Sequence, residues 1–428
     1  MHITKFLNRD ILSSLKKELN TPYVFILIGS RHTGKTTLLK MLLKEPEVKS
    51  NALYFDLENP IHRENFQSNN YDLVARQLIQ NLLHPEKRGY VFLDEIQYLE
   101  NAASLLKYMY DHYQNLKFIV SGLSSLRLKN IFSDSMVGRK RVYRLYPLNF
   151  REFLLFKQKQ QLHNVLSDRD VFSEFPVQPF ILPSIRSELL NEIYDFLSFG
   201  GYPETTLLTN QQERIQSLFE IYTSYIQKDI RFLFSIENID KFNKVTKILA
   251  SQIGSLMNIS EISNTIGLSR LTVERYAFIL ESTFVLSFLL PHYSNVRKEL
   301  SKMPKVYFED VGLCNAISGK FAYEPDHFFW EQLAENFVFN QLQKRNDLEI
   351  KFWRNKNKQE VDFLVFKGDE LIPIEVKFRE QKVVRIPAGL RSFIREYHPA
   401  RAIVVTRDFW DATQYNGTKI LFLPIYLI

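Results

Sequence analysis

This sequence predicts an α/β fold: a doubly wound parallel sheet at the N-terminal end and a second, hairpin-bearing α/β region at the C-terminal end. Three observations predict it. Strand-length apolar runs alternate with helically spaced segments through the first third, the pattern of a parallel sheet with crossover helices. A glycine-rich turn separates the first of these strands from its helix. Near the other end, "QEVDFLVFKGDELIPIEVKF" (Gln359–Phe378) places two apolar runs around a Lys-Gly-Asp-Glu turn. At 428 residues the chain exceeds one ordinary core, so about two to four domains are expected.

Composition bounds the class. No stretch approaches the length of a membrane-spanning helix, and "MHITKFLNRDILSSLKKELN" mixes charge with helically spaced apolar residues rather than forming a secretion signal. The one cysteine, Cys314, excludes an intramolecular disulfide and fits a reducing, cytoplasmic setting. It has no histidine near it in sequence and reads as a buried small apolar residue. The net charge of +7 favours an acidic partner such as DNA.

"PYVFILIGSRHTGKTTLLKMLL" reads as a buried strand, a tight loop and an amphipathic helix. Gly29 to Thr36 fits G-x-x-x-x-G-K-[ST], in the strand-to-helix context that pattern requires. Such a loop turns its backbone N–H groups and the positive helix end toward phosphates. Gly29, Ser30, Arg31, His32, Thr33, Gly34, Lys35, Thr36 and Thr37 are therefore the expected nucleotide cradle. Lys35 would reach the β- and γ-phosphates, and the Thr36 hydroxyl would ligate Mg²⁺.

The second half of that site follows. "YVFLDEIQYL" is an apolar strand ending in Asp94 and Glu95; Asp94 would hold Mg²⁺ and Glu95 would activate the attacking water. The presence of both favours hydrolysis over binding alone. "LKFIVSGLSS" is a further buried strand, whose Ser121 would either sense the γ-phosphate or cap the next helix. Asn51–Asn59 is read as another strand and Tyr71–Leu83 as a helix, completing βαβαβ with the ligand at the strand ends. Arg139 stands just before the strand "RVYRLYPL".

Residues 157–187 are polar and contain three prolines, and read as a linker or insertion. Helical spacing resumes from Gln211 to Ser251. "ISEISNTIGLSRLTVERYAFILE" then gives a short helix, a turn at Gly267, a cap at Ser269 and a second amphipathic helix. This is a helix-turn-helix pattern. In a DNA reader Arg270, Thr272 and Arg275 would be its exposed contacts; the alternative is a packing module.

"GSRHTGKTTLL", "VFLDEIQ", Gly138-Arg139, "PLNFREFL", "GGYPE", "YIQKDI", "KVYFEDVGL" and "EVDFLV…IEVK" occur in that order across nearly the whole chain. Together they resemble bacterial and archaeal AAA+ ATPases that carry a C-terminal domain of unknown function. The resemblance implies a P-loop AAA+ core with a helical lid, a winged-helix middle domain and a C-terminal restriction-endonuclease-like fold. By position, Arg139 resembles the arginine that completes a neighbouring subunit's site, which would imply a homo-oligomer; an ordinary surface or phosphate-facing arginine is the other reading. Phe199–Leu207 resembles the family's sensor region, although no arginine stands beside Gly200-Gly201.

With Gly368-Asp369 as a two-residue type II′ turn, residues whose numbers sum to 737 lie opposite one another. Asp362 then faces Glu375 and Glu360 faces Lys377, all on one face. This arrangement resembles the PD-(D/E)XK nuclease fold. That resemblance implies Mg²⁺ or Mn²⁺ on Asp362 and Glu375, a water-activating Lys377 and support from Glu335. A structural hairpin held by a Glu360–Lys377 ion pair is the alternative. Arg354, Lys356 and Lys358 would track a phosphate backbone, while Glu309 and Asp310 read as capping residues.

The domains expected are 1–148 (ATPase core), 149–235 (lid and linker), 236–300 (winged helix) and 301–428 (nuclease-like). The function expected is Mg²⁺-dependent ATP hydrolysis coupled to DNA engagement, with metal-dependent cleavage as an extension. A switch or scaffold that binds a protein partner and cuts nothing is the alternative.

Overall fold

A computed structural model of the chain describes residues 7–122, 136–166, 170–172, 178, 180–234, 236, 238–293, 295, 297, 299, 302–321 and 327–428. It divides into two units, Met1–Tyr146 with Ser282–Phe284, and Pro147–Glu281 with Val285–Ile428. Apart from Ser282–Phe284, the middle and C-terminal regions expected as separate domains fall within the second unit.

The first unit is built on five parallel strands: β1 (Val24–Ile28), β2 (Ala52–Asp56), β3 (Gly89–Asp94), β4 (Leu116–Gly122) and β5 (Lys140–Arg144). Their order is β2-β3-β4-β1-β5. Every residue of β3 and β4 is buried, which explains why these strands read as continuous apolar runs rather than alternating ones. One core cluster, with Phe66, Val91 and Met109, covers one face. Another, with Leu15, Phe25 and Leu39, covers the other. The first strand leads into the loop and the helix Lys35–Leu42. The expected strand at 51–59 is shorter, and the helix from Tyr71 ends at Gln80.

In the second unit the helices Ile239–Ser251, Ile259–Ile266 and Arg270–Ser282 precede an antiparallel pair, β6 (Leu286–Leu289) and β7 (Lys305–Phe308). Gly267 closes the middle helix in the left-handed region, and Ser269 Oγ accepts from Thr272 N at 3.1 Å, as the helix-turn-helix pattern required. The stretch read as a linker contains a helix, Gln160–Leu166, and a second begins at Pro183. Asp170 within it pairs with Arg345 at 2.6 Å and Lys367 at 3.1 Å. Residues 167–169, 173–177 and 179 of that stretch lie outside the described residues.

The C-terminal part is a six-stranded mixed sheet of β8 (Glu349–Arg354), β9 (Glu360–Lys367), β10 (Glu370–Lys377), β11 (Arg401–Thr406), β12 (Asp411–Tyr415) and β13 (Thr418–Pro424). Its order is β12-β13-β11-β10-β9-β8. The first three strands form an antiparallel meander. The helix Ala388–Tyr397 crosses from β10 to its parallel neighbour β11. Leu390, Phe393 and Ile394 of that helix pack on Val361, Leu364 and Val404.

Candidate functional site

In the first unit the Gly29–Thr36 loop, expected to cradle phosphates, sits at the carboxyl end of β1. Gly29 must be glycine there, because a Cβ would lie 2.2 Å from the Leu145 carbonyl oxygen. Gly34, at φ 94, turns the chain into the helix. Lys35 is buried and folded onto the loop, donating to Gly29 O at 2.8 Å and Ser30 O at 2.7 Å. Thr33 is also buried and donates to Ser30 O at 2.8 Å, while Arg31 and His32 form the outer turn and Thr37 is exposed. The lysine is thus held on the carbonyls of the loop whose phosphates it was expected to meet.

Three strands bring the acidic residues to the same edge. Asp94 ends β3, and Thr36 Oγ1 donates to its Oδ2 at 2.7 Å. Tyr54, on neighbouring β2, donates to the same oxygen at 2.8 Å. Ser121 of β4 donates to Asp94 Oδ1 and accepts from Glu95 N at 3.2 Å, so it links the two acidic residues. The helix that Ser121 was expected to cap lies outside the described residues. Glu95 takes up the left-handed conformation at φ 58, and its carboxylate accepts from the Gln97 side chain. Burial first, and then Asp94, push the Tyr54 phenol far up, so it remains a donor.

The facing Thr36 hydroxyl and Asp94 carboxylate fit a Mg²⁺ ion, being a hard oxygen pair at the phosphate end of the loop. Sequence reasoning missed Tyr54, Gln97 and Arg9. Arg9 braces the loop from below, donating to Thr33 O at 2.9 Å and Tyr146 O at 2.7 Å. No motif signals it, since it lies 24 residues from the threonine it holds.

Residues 21–154 match a family model described as "AAA domain". The N-terminal part of this chain is thus similar to an AAA domain. Residues 190–324 and 330–426 match two models described only as domains of unknown function (DUF8612 and DUF4143). An uncharacterized protein of Haemophilus influenzae is 23% identical over 98% of both chains. One of Methanocaldococcus jannaschii is 27% identical, over 88% of this chain and 79% of its own. Among solved structures, the ADP form of the Aeropyrum pernix ORC2 protein matches with a TM-score of 0.36 at 12% identity, over 74% of this chain and 97% of that one. Caenorhabditis elegans PCH-2 matches at 0.26 and 14%, over 51% and 60%. Scores this low establish neither a shared fold nor a shared function. No described helix is long and apolar enough to cross a membrane.

Arg139 stands away from the Gly29–Thr36 loop. Its carbonyl accepts from Val24 N at the start of β1, whereas the loop leaves the far end of that strand, roughly 15 Å away at about 3.3 Å per residue. Its guanidinium pairs with Asp111 at 2.7 Å on the surface. Phe199–Leu207 has a structural duty inside the second unit. Gly201 N donates to the buried Asp310 carboxylate at 2.7 Å. The same carboxylate caps the helix Val311–Ser318 through Leu313 N at 2.9 Å. Glu309 accepts from Ser287 and, at 3.0 Å, from Gln343. Cys314 is fully buried, and burial pushes its thiol up.

The C-terminal hairpin has the expected register. Glu370 faces Lys367 and Ile374 faces Phe363, so the next pair is Glu375 and Asp362. Gly368 has φ 58 while Asp369 stays out of the positive-φ region, as in a type II′ turn. The expected charge pairing, however, is different. Glu360 does not pair with Lys377; it lies 2.6 Å from Lys305 Nζ and 3.4 Å from Arg354. Lys377 instead pairs with Glu375 at 2.9 Å.

Lys305 projects from β7 into the acidic cluster. Its Nζ also lies 2.9 Å from Glu335 and 3.5 Å from Asp362. Glu335 accepts from Tyr307 at 2.6 Å, and Asp362 Oδ2 accepts from Val376 N at 2.9 Å. Burial opposes the Lys305 charge, but the surrounding carboxylates outweigh it and hold the ammonium protonated. Burial and the Asp362 charge push Glu335 and Glu375 up. Glu375 Oε2 is buried with no partner among the described residues.

This donor set does not fit a divalent ion. Lys305 Nζ already sits among three of these carboxylates, and a cation about 2.1 Å from Asp362 would lie within roughly 5–6 Å of that buried ammonium. Among the described residues no group of three or more His, Cys, Asp or Glu side chains is placed to hold a metal. Beside the cluster opens a cleft of about 760 Å³, lined by Glu375, Lys377, Arg379, Arg385, Arg391 and Tyr415 among others. Arg379, Arg385 and Arg391 make no ion pair with any described residue. No motif in the sequence marks these three.

Proposed function

We propose that the chain is an Mg²⁺-dependent ATPase that couples its nucleotide state to engagement of DNA by its C-terminal unit. The observation that carries the ATPase reading is the joined set Lys35, Thr36, Asp94 and Glu95 at one sheet edge. The loop amides and Lys35 would bind the phosphates, and Thr36 and Asp94 would hold Mg²⁺. When bound, Mg²⁺ screens charge on the phosphates. Glu95, released from Gln97, would orient and deprotonate the attacking water. Ser121 ties the Glu95 backbone to Asp94, so the two acidic residues move together. Arg139 faces away from its own site, which leaves it for a second copy of the chain.

DNA engagement is supported by the unpaired arginines of the C-terminal cleft, whose charge suits a phosphate backbone. Tyr415 beside them offers a stacking face. The helix Arg270–Ser282 is the second element of a winged-helix-like arrangement and contributes further basic residues. Cutting is not part of this reading, because lysines already neutralise the carboxylates that would hold a metal. That same observation favours the second reading, a switch that binds a protein partner.

The test is ATP turnover with and without DNA, beside DNA affinity across a salt series. Stimulated turnover, and a salt-dependent affinity that falls at least tenfold in Arg385→Glu/Arg391→Glu, support the first reading. DNA-indifferent turnover and no measurable DNA affinity would leave the protein-switch reading.

A further inference from the structure

The geometry points to Lys305 as the resident counter-cation of the C-terminal acidic cluster, taking the place that a divalent metal would occupy. It deepens the non-cutting part of the reading above and does not depend on the ATP site.

Four carboxylates, Glu335, Glu360, Asp362 and Glu375, converge from the helix His327–Gln343 and the strands β9 and β10. Their charge must be balanced, because buried carboxylates are stable only when paired or neutralised. Lys305 touches three of them at 2.6, 2.9 and 3.5 Å. Lys377 takes the fourth at 2.9 Å. The first three separations are those of ammonium–carboxylate contacts. Tyr307 and the Val376 amide fill further lone pairs on Glu335 and Asp362.

The source of the ammonium gives the arrangement a purpose. Lys305 begins β7, which pairs with β6 and not with the six-stranded sheet. Its side chain therefore fastens the two-stranded element to the carboxylate edge of that sheet. The cluster is a socket for this lysine, and the hairpin that resembles a nuclease centre serves as a charge-balanced joint.

The experiment is Mn²⁺ binding to the nucleotide-free full chain, read by electron paramagnetic resonance and by the Mn²⁺ dependence of Tm. The proteins compared are wild type, Asp362→Asn, Lys305→Ala and Lys305→Ala/Asp362→Asn. The proposal expects wild type and Asp362→Asn to bind the same amount of Mn²⁺, with a wild-type Tm indifferent to the ion. Lys305→Ala should gain about one Mn²⁺ per chain and a Tm that rises with it, both lost in the double variant. If wild type binds one Mn²⁺ that Asp362→Asn loses, the inference is overturned. Should Lys305→Ala not fold, the comparison of wild type with Asp362→Asn decides alone. ATP turnover in wild type is read separately, so failure of the ATPase reading would not be mistaken for failure of this one.

Discussion

The Thr36 hydroxyl donates to Asp94 Oδ2 at 2.7 Å, joining the end of the phosphate loop to the end of β3. The two residues are 58 positions apart, and they meet because β3 and β1 flank β4 in one parallel sheet. Lys35→Ala removes the cation over the loop and should abolish nucleotide binding while leaving the fold. Glu95→Gln should keep ATP binding but slow hydrolysis by about a hundredfold or more. Binding by fluorescent nucleotide and turnover by phosphate release separate the two; wild-type turnover in Glu95→Gln would remove it as the base.

Tyr54 shares the Asp94 oxygen with Thr36 and fixes the carboxylate's orientation. Tyr54→Phe deletes that bond without changing shape. The Mg²⁺ concentration needed for half-maximal turnover should rise about tenfold, the scale of lost outer-shell support. An unchanged Mg²⁺ dependence would mean that Tyr54 serves packing alone.

Asp310 is fully buried, and desolvation raises its carboxyl from the ordinary 3.8 to about 6. The folded state therefore holds this proton more tightly than the unfolded chain. The associated stability is complete below about pH 4 and is lost as pH rises through 6, on the order of 3 kcal/mol in all. Urea denaturation of wild type and Asp310→Asn between pH 4 and 7 should show the wild type losing ground as pH climbs. Parallel curves would contradict the assignment.

Gly312 packs against the Phe199–Gly200 backbone, where a Cβ would stand 2.1 Å from Phe199 O and 2.7 Å from Gly200 N. Gly312→Ala should cost about 2–4 kcal/mol by forcing the helix Val311–Ser318 off that segment. Alanine at Gly417, with φ 84 but open space around it, should cost only about 1 kcal/mol of backbone strain. Equal losses would show that packing at Phe199 does not matter.

Local chemistry was legible in the sequence. The loop at Gly29–Thr36, the Asp94-Glu95 pair, the Ser269 cap and the register of β9 with β10 each depend on residues within about ten positions of one another. Backbone geometry of that kind is set by glycine, turn residues and strand period. What only the tertiary structure decided is which charges meet. Lys305 comes 55 positions before Glu360 and displaces Lys377 as its partner, because β7 delivers its ammonium into the cluster. Arg9 under the loop, Tyr54 on Asp94 and the arginines of the cleft are likewise products of strand order and helix placement. Spacing along a chain fixes how neighbours are oriented; it does not say which distant side chain will arrive to neutralise a buried carboxylate.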